Sequence, residues 1–228
     1  MRKFYLIITA LTINLFFFAC TPKNSAPQTP DVPDIPQEDW TWENGYPKGV
    51  IVEEFEETFS DGKKCLGFVA TIDFKANPNL TFNCMLSQKK KKPSDFFADF
   101  SDKTTTACLA VNAGYFAGYT SVSMCIHQGK VRQRAWPSFN WPNDENPQTV
   151  IYPIRSAIGQ NKDGSFEIHW TYCTKPSMAE HTAFPSALDN NEKTQTFMSE
   201  PPSADYCPGT FTWEPYEAVG GGPRLVQG

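Results

Sequence analysis

The segment LAVNAGYFAGYTSVS, residues 109–123, holds the side chains whose types and spacing are most typical of a binding site. Asn112 carries both a carbonyl acceptor and an amide donor, so one side chain can recognise a hydroxyl group in either sense. Gly114 lets the backbone approach a ligand closely, and the flat rings of Tyr115 and Phe116 can pack against one. The apolar run before Asn112 predicts that this side chain lies at the end of a strand.

Two further segments carry groups suited to an anion. In RSAIGQNKDG, Arg155 supplies a planar fork that matches a phosphate bidentately, where a lysine is only a point charge. In AVGGGPRLVQG, the glycines from 220 to 222 are expected to leave backbone amides free for phosphate oxygens, and Pro223 fixes the turn that follows. Taken alone, each segment is also consistent with an ordinary turn or a surface ion pair, and the aromatic residues can instead be core.

Composition limits what these residues can serve. The 228-residue chain is 40% hydrophobic and 14% aromatic, which is enough to bury a core in one domain. Its net charge of -5 argues against a nucleic-acid partner, which normally requires a basic stripe. The lysine run at 89–92 is either a solvated loop or attracts an anion. The three histidines are scattered and no C-x-x-C pair occurs, so we expect no metal and no cofactor.

The N-terminus has the features of an export signal. Two basic residues precede an apolar segment, Phe4–Ala19, that is shorter than the roughly 20 apolar residues needed to span a bilayer. The small residue before Cys20 resembles the end of a bacterial lipoprotein signal, in which the cysteine is lipidated; an ordinary cleaved signal peptide is the alternative. We therefore expect a signal peptide over 1–19, a lipidated Cys20 with a proline-rich tether over 20–45, and a membrane-anchored periplasmic or cell-surface protein.

Export makes disulfides possible among the other cysteines. Six remain if Cys20 carries lipid, and the sequence does not choose among their many pairings. Buried, unpaired thiols are the alternative, because a domain of this size needs no covalent staples. The six are Cys65, Cys84, Cys108, Cys125, Cys173 and Cys207.

Residues 46–228 are predicted to form one sheet-rich α+β domain built from β-hairpins with few short helices. Strand-like runs flank glycine-containing turns at 61–62, 128–129 and 163–164, which predicts three hairpins. In the third, FEIHW alternates apolar and polar residues, so His169 is expected on a solvated face.

Two other segments complete the prediction of secondary structure. PSDFFADFSDK predicts a short helix with Ser94 as its N-cap. Residues 174–217 are rich in proline, serine and asparagine, and we expect a long excursion with little regular structure.

In this order, AVNAGYF, RSAIGQNKDG and AVGGGPRLVQG resemble the phosphodiester glycosidase family, which includes the bacterial relatives of the mannose 6-phosphate uncovering enzyme. The resemblance runs from about residue 50 to the end of the chain. It implies a domain dominated by twisted sheet and hydrolysis of a sugar 1-phosphodiester to free sugar and a phosphomonoester. Asn112 and Arg155 are then the catalytic candidates. The residues expected to contact substrate are Gly114, Tyr115, Phe116, Ser123, Gly221, Gly222 and Pro223.

Part of the family pattern is not found. Members continue into a second half with another arginine segment and an Asp-Gly-Gly-Gly-Ser motif, whereas this sequence ends at Gly228. Glycoside hydrolysis usually needs two carboxyl groups, and we assign none, since Asp163 lies in a predicted turn and residues 144–145 in a Pro-Asn loop. We therefore expect either the N-terminal part of a longer enzyme, poorly soluble or disordered after about residue 174, or a shortened and inactive member.

Two functions outside enzymology remain open from the sequence. The same aromatic residues, without an assigned carboxyl pair, are consistent with a non-catalytic cell-surface glycan-binding lipoprotein. An interaction or structural lipoprotein would bind no glycan at all. The partner expected first is nevertheless a sugar phosphodiester or glycan.

Overall fold

Antiparallel strands account for most of the regular structure. A computed structural model describes residues 6–7, 42–43, 45–102, 105–140, 150–187, 198, 200–203 and 208–221. Its strands, in chain order, are β1 Leu6–Ile7, β2 Trp42–Glu43, β3 Tyr46–Pro47, β4 Val50–Thr58, β5 Lys64–Ile72, β6 Phe116–Ala117, β7 Thr120–Ser121, β8 Cys125–His127, β9 Lys130–Gln133, β10 Phe139–Asn140, β11 Val150–Ile151, β12 Arg155–Gln160, β13 Phe166–Lys175, β14 Glu180–Phe184, β15 Phe211–Thr212 and β16 Glu217–Gly220. The expectation of a sheet-rich mixed fold is confirmed.

The described residues fall into two compact units. Residues 1–81 and 97–109 belong to the first unit, and residues 82–96 and 110–228 to the second. The first contains a three-stranded sheet in the order β1-β5-β4. The second contains a seven-stranded sheet in the order β15-β14-β13-β12-β16-β8-β9.

The first predicted hairpin is present in the first unit. β4 and β5 pair antiparallel over nine residue pairs, from Val50 opposite Ile72 to Thr58 opposite Lys64. The turn closes where the N–H of Phe59 donates to the carbonyl of Lys63 and the N–H of Gly62 donates to the carbonyl of Phe59. Gly62 has a φ of 81°, a conformation that glycine adopts at little cost. The ring of Phe55 lies directly over Gly67, where a β-carbon would come within 2.6 Å of the ring.

The other two predicted hairpins supply the core of the large sheet. β8 and β9 turn at Gln128 and Gly129, which both have positive φ values of 53° and 68°. β12 and β13 pair from Arg155 opposite Thr171 to Gln160 opposite Phe166. β16 then lies between β12 and β8, so that a strand from the end of the described chain joins the two hairpins.

Buried side chains of the large sheet form two clusters. One face carries a cluster of mostly small buried side chains, and the other carries bulkier ones. The first cluster comprises Met124, Ile126, Ala135, Ala157, Cys173, Ala183, Trp213 and Ala218. The second comprises Ile154, Tyr172 and Phe184, with Tyr152 and Trp170 packed against it. Over 166–170 no residue of β13 is buried and Ile168 is 39% exposed, so the expected separation into one apolar and one solvated face was wrong there.

A short helix, α1, forms at Pro93–Phe100 as predicted. Its N-terminal bonds differ from the prediction, because the backbone N–H of Lys92 donates to Oδ2 of Asp95 at 3.0 Å, and Ser94 lies inside the helix. The C-terminal end closes where the backbone N–H and hydroxyl of Ser101 both donate to the carbonyl of Phe97. In the part of the chain that the structure describes, no helix is long and apolar enough to cross a membrane.

The long excursion expected over residues 174–217 is more regular than predicted. A 3-10 turn at Pro176–Met178 leads into β14, which pairs with β13, and β15 pairs with β14 in turn. The amino-acid composition of this region did not predict these strands. An edge strand needs only a few alternating residues once a neighbouring strand offers unpaired backbone groups.

The cysteines in the described part of the chain are unpaired, which was the alternative to disulfides. Of the cysteines in the described ranges, all five are free thiols, and Cys84, Cys125 and Cys173 are buried. Burial raises the pKa of the Cys125 thiol to about 11, and the Glu217 carboxylate acts in the same direction. Cys20 and Cys207 lie outside the described residues.

Candidate functional site

The three motif segments meet in the second unit. A β-carbon on Gly114 would lie 2.7 Å from Cβ of Ser123 and 3.1 Å from the carbonyl oxygen of Gly220, so only glycine allows this approach. The N–H of Gly221 donates to the carbonyl of Ser156 at 2.9 Å. The segment with the aromatic residues therefore touches the glycine segment, and the glycine segment touches the arginine strand.

Hydrogen bonds fix the backbone of Tyr115, and its side chain is exposed to solvent. The backbone N–H of Tyr115 donates to the hydroxyl of Ser123 at 2.9 Å, and the carbonyl of Tyr115 accepts from Val122 at 2.9 Å. Ser123 is itself 1% exposed, so it supports the segment from the interior. A small hairpin of β6 and β7 follows Tyr115. Residues Tyr115, Phe116 and Tyr119 are 53%, 70% and 69% exposed. These rings are not core, which removes the purely structural alternative for them.

Arg155 begins β12 and lies between two aromatic rings. Its guanidinium carbon is 4.5 Å from the centre of the Phe139 ring and 5.6 Å from the centre of the Tyr115 ring. Contacts of this kind favour a cation over the face of a ring and fix the plane of the guanidinium. The second motif is thereby joined to the first, and Phe139, on β10, is a site residue that the sequence analysis missed.

The backbone N–H groups of Gly220 and Gly221 form hydrogen bonds within the protein, whereas the sequence predicted them to be free. The N–H of Gly220 donates to the carbonyl of Met124 at 2.8 Å, and that of Gly221 donates to Ser156, so neither amide is free for a phosphate. The prediction was wrong for Gly220 and Gly221, because β16 is a central strand whose backbone groups bond to its neighbours. Among the residues that the structure describes, none lies within 4 Å of the β-carbon position of Gly221, so these residues leave room for a ligand there. Gly222 and Pro223 lie outside the described residues.

Asn112 is exposed and ends no strand, contrary to the prediction. Residues 105–115 have no regular secondary structure, and the N–H of Tyr115 donates to the side chain of Ser123 and not to a neighbouring strand. Asn112 is two residues before Gly114, which places its backbone beside the site. Within the described ranges, no hydrogen bond of its side chain is found.

A buried carboxylate lies on the same strand as the glycines. Glu217 is 1% exposed and accepts hydrogen bonds from the backbone N–H groups of Cys84 and Gln128 at 2.8 and 2.9 Å. Nδ1 of His127 is 3.0 and 3.1 Å from its two oxygens. Because these donors already use both oxygens, Glu217 fixes the positions of surrounding segments and is not suited to protonate a leaving group.

A second carboxylate and histidine lie on β13. Oε2 of Glu167 is 3.2 Å from Nε2 of His169 and accepts from Nε1 of Trp213 at 3.2 Å. The side chain of His169 is 23% exposed and meets the rings of Phe211 and Trp213 edge to face, so His169 is partly buried and less solvated than predicted. A hydrogen bond from Asn161 is the largest cause that lowers the pKa of Glu167, which therefore stays ionised beside the imidazole.

His169 shares a face of the sheet with the arginine of the site. His169 lies opposite Ala157, two residues along β12 from Arg155, and alternate residues of a strand face the same side. In the described part of the chain, no group of three or more histidine, cysteine, aspartate or glutamate side chains is arranged to hold a metal ion.

Searches with protein-family models, among curated proteins and among solved structures found no match for this chain.

Proposed function

We propose that this chain is an exported phosphodiester glycosidase-like protein that acts on a sugar 1-phosphodiester. Water would add across the bond between sugar and phosphate, giving free sugar and a phosphomonoester. The observation that supports this proposal is the meeting of the three motif segments, since each touches another although up to about a hundred residues separate them in the sequence.

The geometry suggests a division of roles. Arg155, oriented by Phe139 and Tyr115, would bind two phosphate oxygens with its planar fork. The exposed ring of Tyr115 would pack on the sugar, and Asn112 would recognise a sugar hydroxyl at the same edge. The open space at Gly221 leaves room for the phosphate beside the end of β12.

The exposed aromatic hairpin supports a second candidate. Phe116 and Tyr119 are both more than two-thirds exposed and lie on one two-stranded element beside Tyr115. Solvent-facing rings of this kind suit a glycan chain that is bound and not cleaved. A non-catalytic glycan-binding protein at the cell surface is therefore the alternative, and in either case we propose anchoring through lipid at Cys20.

The test is sugar release by the 228-residue chain from the methyl ester of N-acetylglucosamine 1-phosphate. We expect free sugar from the wild type and a loss of about 100-fold in kcat/KM for Arg155→Met, the size of effect seen when one oxyanion-binding donor is removed. Arg132→Met is the matched control, because Arg132 is an exposed residue of β9. Binding of the ester and of glycans without release of sugar would favour the alternative, and the absence of both would refute the two candidates.

A further inference from the structure

The lysine run contacts the small β6–β7 hairpin, which begins directly after Tyr115 of the candidate site. Nζ of Lys90 lies 4.9 Å from the centre of the Tyr119 ring, in the turn between β6 and β7. Tyr119 follows Tyr115 by four residues, so at about 3.3 Å per residue their Cα atoms lie within roughly 13 Å of each other. The lysine run, which the sequence left as either a solvated loop or an anion-attracting segment, therefore contacts the hairpin that follows Tyr115.

The position of this segment is determined by contacts at both ends. Nζ of Lys91 lies 5.1 Å from the centre of the Phe96 ring in α1, and the N–H of Lys89 donates to the hydroxyl of Ser87 at 3.1 Å. At the other end the N–H of Lys92 donates to Asp95, whose carboxylate offsets part of the charge. Lys89, Lys90 and Lys92 remain exposed, so all three side chains are accessible to a ligand in solution.

General basicity does not explain this charge. The chain has 25 acidic and 20 basic residues, yet four of the basic residues are consecutive here. Like charges held together repel one another, so an anion that approaches the lysine run lowers its electrostatic free energy. Arg155 supplies a further positive charge between the rings of Phe139 and Tyr115.

We infer that residues 89–92 form an anion-binding arm that selects sugar 1-phosphodiesters whose leaving group carries a second negative charge. This inference rests on the proposed function and names its substrate class. Arg155 would bind the phosphodiester, Tyr115 the sugar, and the lysine arm a phosphate or carboxylate farther along the leaving group. A membrane surface is the competing partner, but contact with the same hairpin that carries Tyr115 favours the substrate.

The experiment compares two probes by isothermal titration calorimetry, so that binding is measured whether or not sugar is released. The probes are the methyl ester and the 3-phosphopropyl ester of N-acetylglucosamine 1-phosphate, which differ in the second phosphate. We expect the wild type to bind the 3-phosphopropyl ester about tenfold more tightly at low salt, because several exposed charge pairs each contribute modestly. At about 1 M sodium chloride the preference should disappear, since the Debye length falls to roughly 3 Å.

Variants identify the arm as the cause. Lys89→Gln with Lys90→Gln should reduce the preference to about twofold and leave the affinity for the methyl ester unchanged. Lys90→Arg should keep the preference, because arginine retains the charge and also packs on Tyr119. Lys162→Gln is the matched control, as Lys162 is an exposed lysine in the turn between β12 and β13.

The outcomes separate the two proposals. If the wild type binds and cleaves both esters equally well, the inference fails while the proposed function stands. If neither ester binds, the proposed function fails and the inference fails with it. If the lysine variant keeps the preference but no longer binds phosphatidylglycerol vesicles, the arm serves a membrane surface and the inference is overturned.

Discussion

Gly114→Ala tests whether the close approach of the motif segments holds the site together. The new β-carbon would lie 2.7 Å from Cβ of Ser123 and 3.1 Å from the carbonyl of Gly220. Real β-carbons do not approach other atoms at the first of these distances, and neither neighbour is the flexible end of a side chain. Ser123 is 1% exposed and Gly220 belongs to β16, so the Gly114 segment itself must move outward.

The expected cost can be worked from opposing contributions. Inserting a methyl group into a well-packed site costs about 1–3 kcal/mol, and alanine recovers about 0.4–1 kcal/mol by restricting the unfolded chain. We therefore expect Gly114→Ala to lower the free energy of unfolding by about 1–2 kcal/mol. Gly221→Ala is the matched control, because no residue in the described part of the chain lies within 4 Å of its β-carbon position, and we expect no loss of stability there.

Urea unfolding followed by tryptophan fluorescence measures both variants, and a double-mutant cycle with Ser123→Gly assigns the cause. Removing the Ser123 side chain alone should cost about 1–2 kcal/mol, because Tyr115 loses its hydrogen-bond acceptor. It also removes the 2.7 Å contact, so the double variant should be about 1 kcal/mol more stable than the sum of the two changes. Equal stability of Gly114→Ala and Gly221→Ala, or strict additivity with Ser123→Gly, would refute the reasoning.

Three further predictions concern buried groups and the N-terminus. Glu217→Gln should cost about 2–3 kcal/mol in urea unfolding, since an amide nitrogen replaces one oxygen that accepts N–H donors, whereas Glu214→Gln, at an exposed position, should be neutral. Burial lowers the pKa of His181 from 6.5 to about 4, so the unfolded chain binds a proton before the folded one does. Stability should therefore be complete above pH 6.5 and fall by about 3 kcal/mol as the pH drops toward 4, and His181→Gln should flatten this slope in urea titrations at several pH values. Cys20→Ser should leave the protein unprocessed or in the aqueous phase of a detergent partition, and a cleaved variant that still enters the detergent would contradict lipidation.

Much of the local structure could be predicted from the sequence. The hairpins at 61–62, 128–129 and 163–164 were correct, because a turn needs positive φ at particular residues and the flanking strands are adjacent in the chain. The helix at Pro93–Phe100 was also correct in place, although the capping residue was not. The prediction was weaker after residue 174, where strands form only because a neighbouring edge is available.

The site was predicted only in its parts. The residue types of Gly114, Tyr115 and Arg155 indicated a ligand site, but nothing in their spacing indicated that Phe139 would lie against the guanidinium. The glycine amides were expected to be free, and their use depends on which strands flank β16. Those neighbours lie about 60 and 90 residues away in the sequence, where local patterns carry no information about register.

The sequence by itself determined the turns, the short helix, the acidic charge balance and the order of the three motif segments. The tertiary structure decided that β16 lies between β12 and β8, that Glu217 is enclosed by N–H donors, and that Lys90 packs on Tyr119. The reason is physical. Turn and helix preferences arise from a few adjacent residues, whereas the pairing of distant strands is selected by how the whole chain buries its apolar side chains and satisfies its backbone hydrogen bonds.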